Sequence, residues 1–116
     1  MASSDPSSAR ASGIKERRSV PRFPLIATAE ILESTSAMRL SGRISEISRK
    51  GCYVDVLNPL PSGTTIQLRV SRDSGSFATT ARVIYVDPGM GMGIGFVDTA
   101  ADQLTILDAW LAELAS

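Results

Sequence analysis

Arg17-Arg18-Ser19-Val20-Pro21-Arg22 concentrates three guanidinium groups in one short stretch. Pro21 and Pro24 each lack an amide donor and bias the residue before them to extended geometry, which rules out a stable helix here. In an extended chain the even spacing puts Arg18 and Arg22 on one side, at most roughly 13 Å apart. Guanidinium is the side-chain group best matched to phosphate oxygens and to the O6 and N7 edge of guanine. The competing reading is a solvated basic linker ahead of a domain, and these residues alone do not separate the two. A second polar cluster, Glu46-Ile47-Ser48-Arg49-Lys50-Gly51, brings a carboxylate, a hydroxyl, two cations and a glycine together where a strand pattern slips.

Composition removes most other chemistry. The chain contains no His, so neither a Ser-His-Asp nor a Cys-His arrangement can be built. Cys52 is the only cysteine, which excludes an internal disulfide and a thiolate metal cluster. Ser48 as a nucleophile has no base beyond Lys50, which reads as a solvated turn residue, so no enzyme activity, metal or cofactor is expected. Twelve basic and twelve acidic residues cancel. A protein built to coat a nucleic acid polymer or a membrane needs a basic surplus, and with 5% aromatic residues few side chains are available to stack on successive bases. No apolar run approaches the ~18 residues of a membrane span, and the N-terminus lacks the apolar centre of a signal peptide. The expectation is a cytoplasmic protein.

The elements that must position the two clusters read as β-structure. Residues 1–14 lack periodicity and are expected to be a disordered tail, followed by one domain over 15–116 whose first part, 15–24, is a flexible arginine arm. From Phe23 onward, Leu25, Ala27, Ala29 and Ile31 alternate with Ile26, Thr28, Glu30 and Leu32, the period of a strand. A second strand spans about Met38 to Ile47, and the odd spacing between Ile44 and Ile47 predicts a bulge or a strand end. Gly51 is a candidate for positive φ or for close approach of another group. Further strands follow at Cys52 to Leu57, around Ile66-Leu68-Val70, and at about Phe77 to Val86. In the sixth, Gly91, Gly93 and Gly95 alternate with Met92, Ile94 and Phe96, and bare backbone predicts a tight bend or a group lying against it. A helix over about 100–115 closes the chain. Thr99 and Asp102 are its expected capping pair, and Leu104, Leu107, Leu111 and Leu114 form its apolar stripe. Trp110 falls off that stripe, at the core edge or, if exposed, on a partner surface. Together these predict an all-β barrel, closed or nearly closed, of about six antiparallel strands with one C-terminal α-helix.

In this order and at these strand positions, the two polar clusters resemble those of the PilZ domain, the bacterial receptor module for cyclic di-GMP. The family's Arg-x-x-x-Arg before the first strand is met by Arg18 and Arg22. Its Asp/Asn-x-Ser-x-x-Gly between the second and third strands is met by Ser48 and Gly51, with Glu46 in the acidic place. The likeness extends to the Pro-Ser-Gly loop near residue 62 and to Gly93-Ile94-Gly95-Phe96, and it covers roughly Lys15 to Leu114. It implies the family's split barrel and cyclic di-GMP as ligand, with Arg17, Arg18, Arg22, Glu46, Ser48 and Gly51 as the binding residues. It further implies an arm that folds over the nucleotide and a downstream protein partner of unknown identity. Glu46 is one methylene longer than Asp, which carries its oxygens about 1.5 Å further out. The alternative is a PilZ-like adaptor that no longer binds the nucleotide and works through protein contacts.

Overall fold

The computed structural model describes residues 20–73 and 75–116. The expected tail over 1–14 and the arm residues 15–19, including Arg17 and Arg18, lie outside them. Six strands and one helix follow in order: β1 (Arg22–Glu33), β2 (Arg39–Ser48), β3 (Gly51–Asp55), β4 (Thr65–Arg72), β5 (Gly75–Asp87), β6 (Gly91–Asp98) and α1 (Ala101–Ala115). The strand takes in Arg22 to Pro24, the end of the stretch assigned to the arm by sequence. All strand pairs are antiparallel, and the order β1-β2-β3-β6-β5-β4 closes into a barrel through pairing of β1 with β4.

Alternation decides what faces inward. Leu25, Ala27, Ala29 and Ile31 of β1 meet Ile66, Leu68 and Val70 of β4 and Val54 of β3 in the core. Each large apolar side chain removed from water stabilises the fold by about 1.5–3 kcal/mol. The expected slip in β2 is a bulge: on the β3 side the register jumps from Ile44↔Val54 to Glu46↔Tyr53, leaving Ser45 unmatched. The jump lets Ile44 and Ile47 both point inward at 0% exposure despite their odd spacing. The displaced Ser45 hydroxyl donates to Asp55 Oδ1 at 3.2 Å.

The helix covers one end of the barrel, and its seat differs from the sequence expectation. Leu107 and Trp110 are its buried residues, whereas Leu104, Leu111 and Leu114 are only partly covered. Trp110 therefore lies in the core and presents no partner surface. It stacks edge-on to Phe77 at 6.3 Å between centroids, and Phe77 in turn meets Phe96 at 5.3 Å. Arg72 caps the indole face, with its guanidinium carbon 5.3 Å from the ring centroid and Nη1 3.2 Å from Glu113 Oε1. Nor does Thr99 cap the helix. Ala100 is the N-cap without a side-chain bond, while the Thr99 hydroxyl pairs with that of Thr79 at 2.7 Å. The first turn is tied down from elsewhere: the Ala78 N–H donates to Gln103 Oε1 at 2.7 Å.

Candidate functional site

The turn between β2 and β3 is shaped by its own serine. Ser48 Oγ accepts the Lys50 and Gly51 amides, both at 3.2 Å, and donates to the Gly51 carbonyl at 3.3 Å. Local side-chain bonds of this kind give the backbone a turn in place of a ladder. The Lys50 carbonyl then accepts the Phe96 N–H at 2.8 Å, which hands the chain over to pairing with β6. Gly51 resolves the choice posed by sequence in favour of close approach: a Cβ there would lie 2.1 Å from the Ile94 carbonyl oxygen. The turn's two cations diverge. Arg49 Nε reaches Asp108 Oδ1 on α1 at 3.0 Å, while Lys50 faces the groove beside the turn.

That groove is about 580 Å³, within the range of small-molecule sites. Arg22, Glu46, Ser48 and Gly51 all line it, together with Val20, Lys50, Tyr85 and Gly93. Cα pairing of Arg22 with Ser48 and of Pro24 with Glu46 carries the first strand's basic end to the turn. The Arg22 guanidinium is ion-paired with Glu46 Oε1, and the two side chains keep 26% and 39% of their exposure. Of the predicted binding residues, the four that are described thus converge on one place. Arg17 and Arg18 lie outside the described residues. Arg43, considered by sequence as a secondary phosphate contact, lines a different groove with Ser41, Arg72 and Asp73.

The opposite wall was not recognised from sequence. Register between β5 and β6 jumps from Val83↔Ile94 to Tyr85↔Gly93, so Ile84 is an extra residue and both Ile84 and Tyr85 turn outward, 55% and 45% exposed. Bulges re-aim side chains in this way next to binding sites. The Tyr85 ring lies against the backbone of Gly93, where an added Cβ would fall 2.2 Å from a ring carbon, and Ile84 lies over Gly95. The bare face of β6 is therefore covered by side chains from its neighbours, one of the two outcomes its glycines predicted. Tyr53 extends the layer, tilted to Tyr85 with centroids 6.2 Å apart, its hydroxyl donating to Asp87 Oδ2 at 2.7 Å. Partial desolvation, then the hydrogen bond and charge of Asp87, push the Tyr53 phenol up to about 12. The available signal was the run Val83-Ile84-Tyr85-Val86, four bulky residues in a row within an otherwise alternating strand.

In chemical terms the groove offers a guanidinium, an ammonium, a carboxylate and one aromatic face. Such a set suits a planar, anionic ligand with both donors and acceptors on its rim. Cys52 contributes no nucleophile, because burial pushes its thiol up to about 12. Among the described residues no group of His, Cys, Asp and Glu is arranged to hold a metal ion, and no helix is long and apolar enough to cross a membrane.

Comparison with known proteins gives one family and a consistent set of folds. The sequence profile of the PilZ domain matches residues 16–113. No curated protein sequence matches the chain. Among solved structures, the PilZ domain of CeSA from a cellulose-synthesizing bacterium superposes with a TM-score of 0.64 at 20% identity, covering 83% of this chain and 99% of that one. The PilZ domain of Escherichia coli YcgR with c-di-GMP gives 0.69 at 16% identity, over 86% and 92%. The MrkH–c-di-GMP complex of K. pneumonia gives 0.72 at 17% identity, over 88% of this chain and 53% of MrkH, so the likeness there spans about half of the larger protein. At these identities the structures establish the fold.

Proposed function

The chain belongs to the PilZ domain family, and from that membership we propose that its groove binds cyclic di-GMP and that binding orders the arginine arm. The observation that carries the reading is the convergence of Arg22, Glu46, Ser48 and Gly51 on one groove of about 580 Å³. YcgR and MrkH, structurally similar to this chain, were solved with that nucleotide. Arg22 and Lys50 supply cations for phosphate oxygens or for the O6 and N7 edge of guanine. Glu46 supplies an acceptor for guanine N–H groups. Tyr85 offers a flat apolar face to a purine, and base–aromatic stacking of this kind is worth about 1–3 kcal/mol. Ser48, whose hydroxyl is already engaged in the turn, acts by holding the backbone that flanks the ligand.

The arm's place in the sequence supports the reading. Val20 lines the groove, and Arg18 is two residues upstream, so the two Cα atoms lie within about 7 Å of each other in any conformation. Four or five charge-assisted hydrogen bonds at about 1.5–3 kcal/mol each are offset by about 1–2 kcal/mol of backbone entropy for each arm residue ordered. The near balance suits a receptor whose arm responds to ligand concentration, and a protein partner would read the arm's state. Isothermal calorimetry with cyclic di-GMP tests the reading. Arg22→Ala should weaken binding by roughly tenfold or more, the loss of one charge-assisted bond. Absence of any binding by the unaltered chain at ~100 μM ligand would refute it.

One observation favours a second reading. The Arg22–Glu46 ion pair satisfies in-chain the two side chains that the ligand needs, which suits an adaptor that has given up the nucleotide and acts through protein contacts.

A further inference from the structure

The Pro61-to-Thr64 loop lies beside the β5 bulge. Pairing of β4 with β5 ends at Thr65↔Arg82, and beyond it the loop takes over as partner. The Gly63 N–H donates to the Val83 carbonyl at 2.7 Å, and the Val83 N–H donates to the Thr64 carbonyl at 2.9 Å. One residue further, Ser62 Oγ donates to the Ile84 carbonyl at 2.9 Å. Ile84 is the extra residue of the bulge and has no Cα partner in the β6 register, so this hydroxyl ties the loop to the bulged residue itself. The loop is itself held in shape: Thr64 Oγ1 and the Thr64 N–H both donate to the Pro61 carbonyl, at 2.6 and 3.2 Å. Gly63 sits at φ +91°, a conformation that side chains disfavour.

We propose that Ser62 is a positioning residue for the ligand groove: by fixing the Ile84 carbonyl it sets the bulge, and the bulge sets the angle at which Tyr85 and Ile84 face a planar heteroaromatic base. The idea rests on the reading of the groove as a purine-nucleotide site. Ser62 does not line the groove and touches no ligand, so its influence passes through the β5 backbone alone. Its own exposure means that removing the hydroxyl leaves the Ile84 carbonyl to water and the fold intact. The wall is what should shift, because Tyr85 is held flat on Gly93 only as long as the bulge keeps its shape.

The test compares Ser62→Ala with Ser62→Thr, which keeps a hydroxyl. Without ligand, the Gly93 protons lie beneath the Tyr85 ring and carry a ring-current shift in the NMR spectrum. Ser62→Ala should move them toward ordinary values at unchanged thermal stability, and Ser62→Thr should restore them. With cyclic di-GMP, Ser62→Ala should weaken binding about two- to fivefold, the scale of one modest hydrogen bond acting indirectly. In a background that carries both Ile84→Ala and Tyr85→Ala the same change should have no further effect on affinity, because the wall it positions is gone. Unmoved Gly93 signals would overturn the proposal whatever the nucleotide does. Moved signals with unchanged affinity would overturn it too, since the wall's angle would then be irrelevant to the base. Moved and rescued signals in a protein that binds no cyclic di-GMP would support the positioning link and refute the nucleotide reading.

Discussion

Replacing Glu46 by Gln separates two roles that the proposed function gives to one carboxylate. As a counter-ion it pairs with Arg22; as the proposed acceptor it would meet guanine N–H groups. Gln keeps an acceptor oxygen and removes the charge, so only the first role is lost. The Arg22–Glu46 pair is partly exposed, with 26% and 39% of each side chain accessible. Pairs of that kind are worth about 0–1 kcal/mol, because water screens them and two long side chains must be held still. Releasing Arg22 therefore removes a cost of that size from binding, and affinity for cyclic di-GMP should rise by up to about fivefold. Calorimetry at low and at moderate salt reads the effect, and the gain should shrink as salt rises, since screening weakens the pair in the unaltered chain. If Glu46→Gln instead lost as much affinity as Arg22→Ala, the negative charge itself would be part of the ligand's grip. The in-chain competition inferred from the ion pair would then be wrong.

Three further outcomes follow from the packing. Gly51→Ala and Gly93→Ala should part company: the first drives a Cβ onto the Ile94 backbone and should lower thermal stability sharply, while the second meets only the half-exposed Tyr85 ring, which can swing aside, and should cost mainly ligand affinity. Equal melting temperatures for the two variants would refute the distinction. Trp110→Ala should destabilise by about 3–5 kcal/mol in chemical denaturation, as expected of a buried aromatic; a loss below about 1 kcal/mol would mean the indole is not seated between Phe77 and Arg72. In a Tyr85→Phe background the remaining phenol, Tyr53, should ionise near 12 in an ultraviolet titration, against an ordinary value of about 10. Its folded-state value is the higher one, so its contribution to stability is complete below pH ~10 and is lost as pH climbs toward 12. A midpoint near 10 would show the Asp87 bond to be absent in solution.

The barrel was legible because alternation is a strong constraint where one face is dry. Leu25 to Ile31 keep strict parity, and even the irregularity at Ile44 and Ile47 announced itself, since both must reach the core and only a bulge allows it. The glycines of β6 signalled that something covers them but not what, because the cover comes from β3 and β5 and depends on how those strands register against β6. The aromatic wall was missed for a related reason. A run such as Val83 to Val86 does not say which residue is extra, and the answer lies in the register with β6, which jumps past Ile84. Trp110, read at the core edge, sits deeper than that because helical spacing finds a stripe but not its centre. Phe77 on one side and Arg72 on the other seat the large ring beside Leu107, deeper than Leu104, Leu111 and Leu114. The Thr99 cap failed to tertiary competition from Thr79, which no local pattern reveals.

A ladder of hydrogen bonds that runs from β1 round to β4 and back has neither beginning nor end. Strand addition, by which many small sheets recruit peptides or stack on copies of themselves, needs a row of idle amides, and the described ring leaves only short ones, on β1 before its pairing with β4 starts at Thr28 and on β2 before its pairing with β3 starts at Arg43. Elsewhere the barrel offers a partner side chains only, on the outer wall, along α1 or at the rim where Met38, Leu57 and Met90 stand exposed. Aggregation through the sheet faces the same obstacle: the seam between Thr28–Glu33 and Ile66–Ser71 would have to be unzipped first.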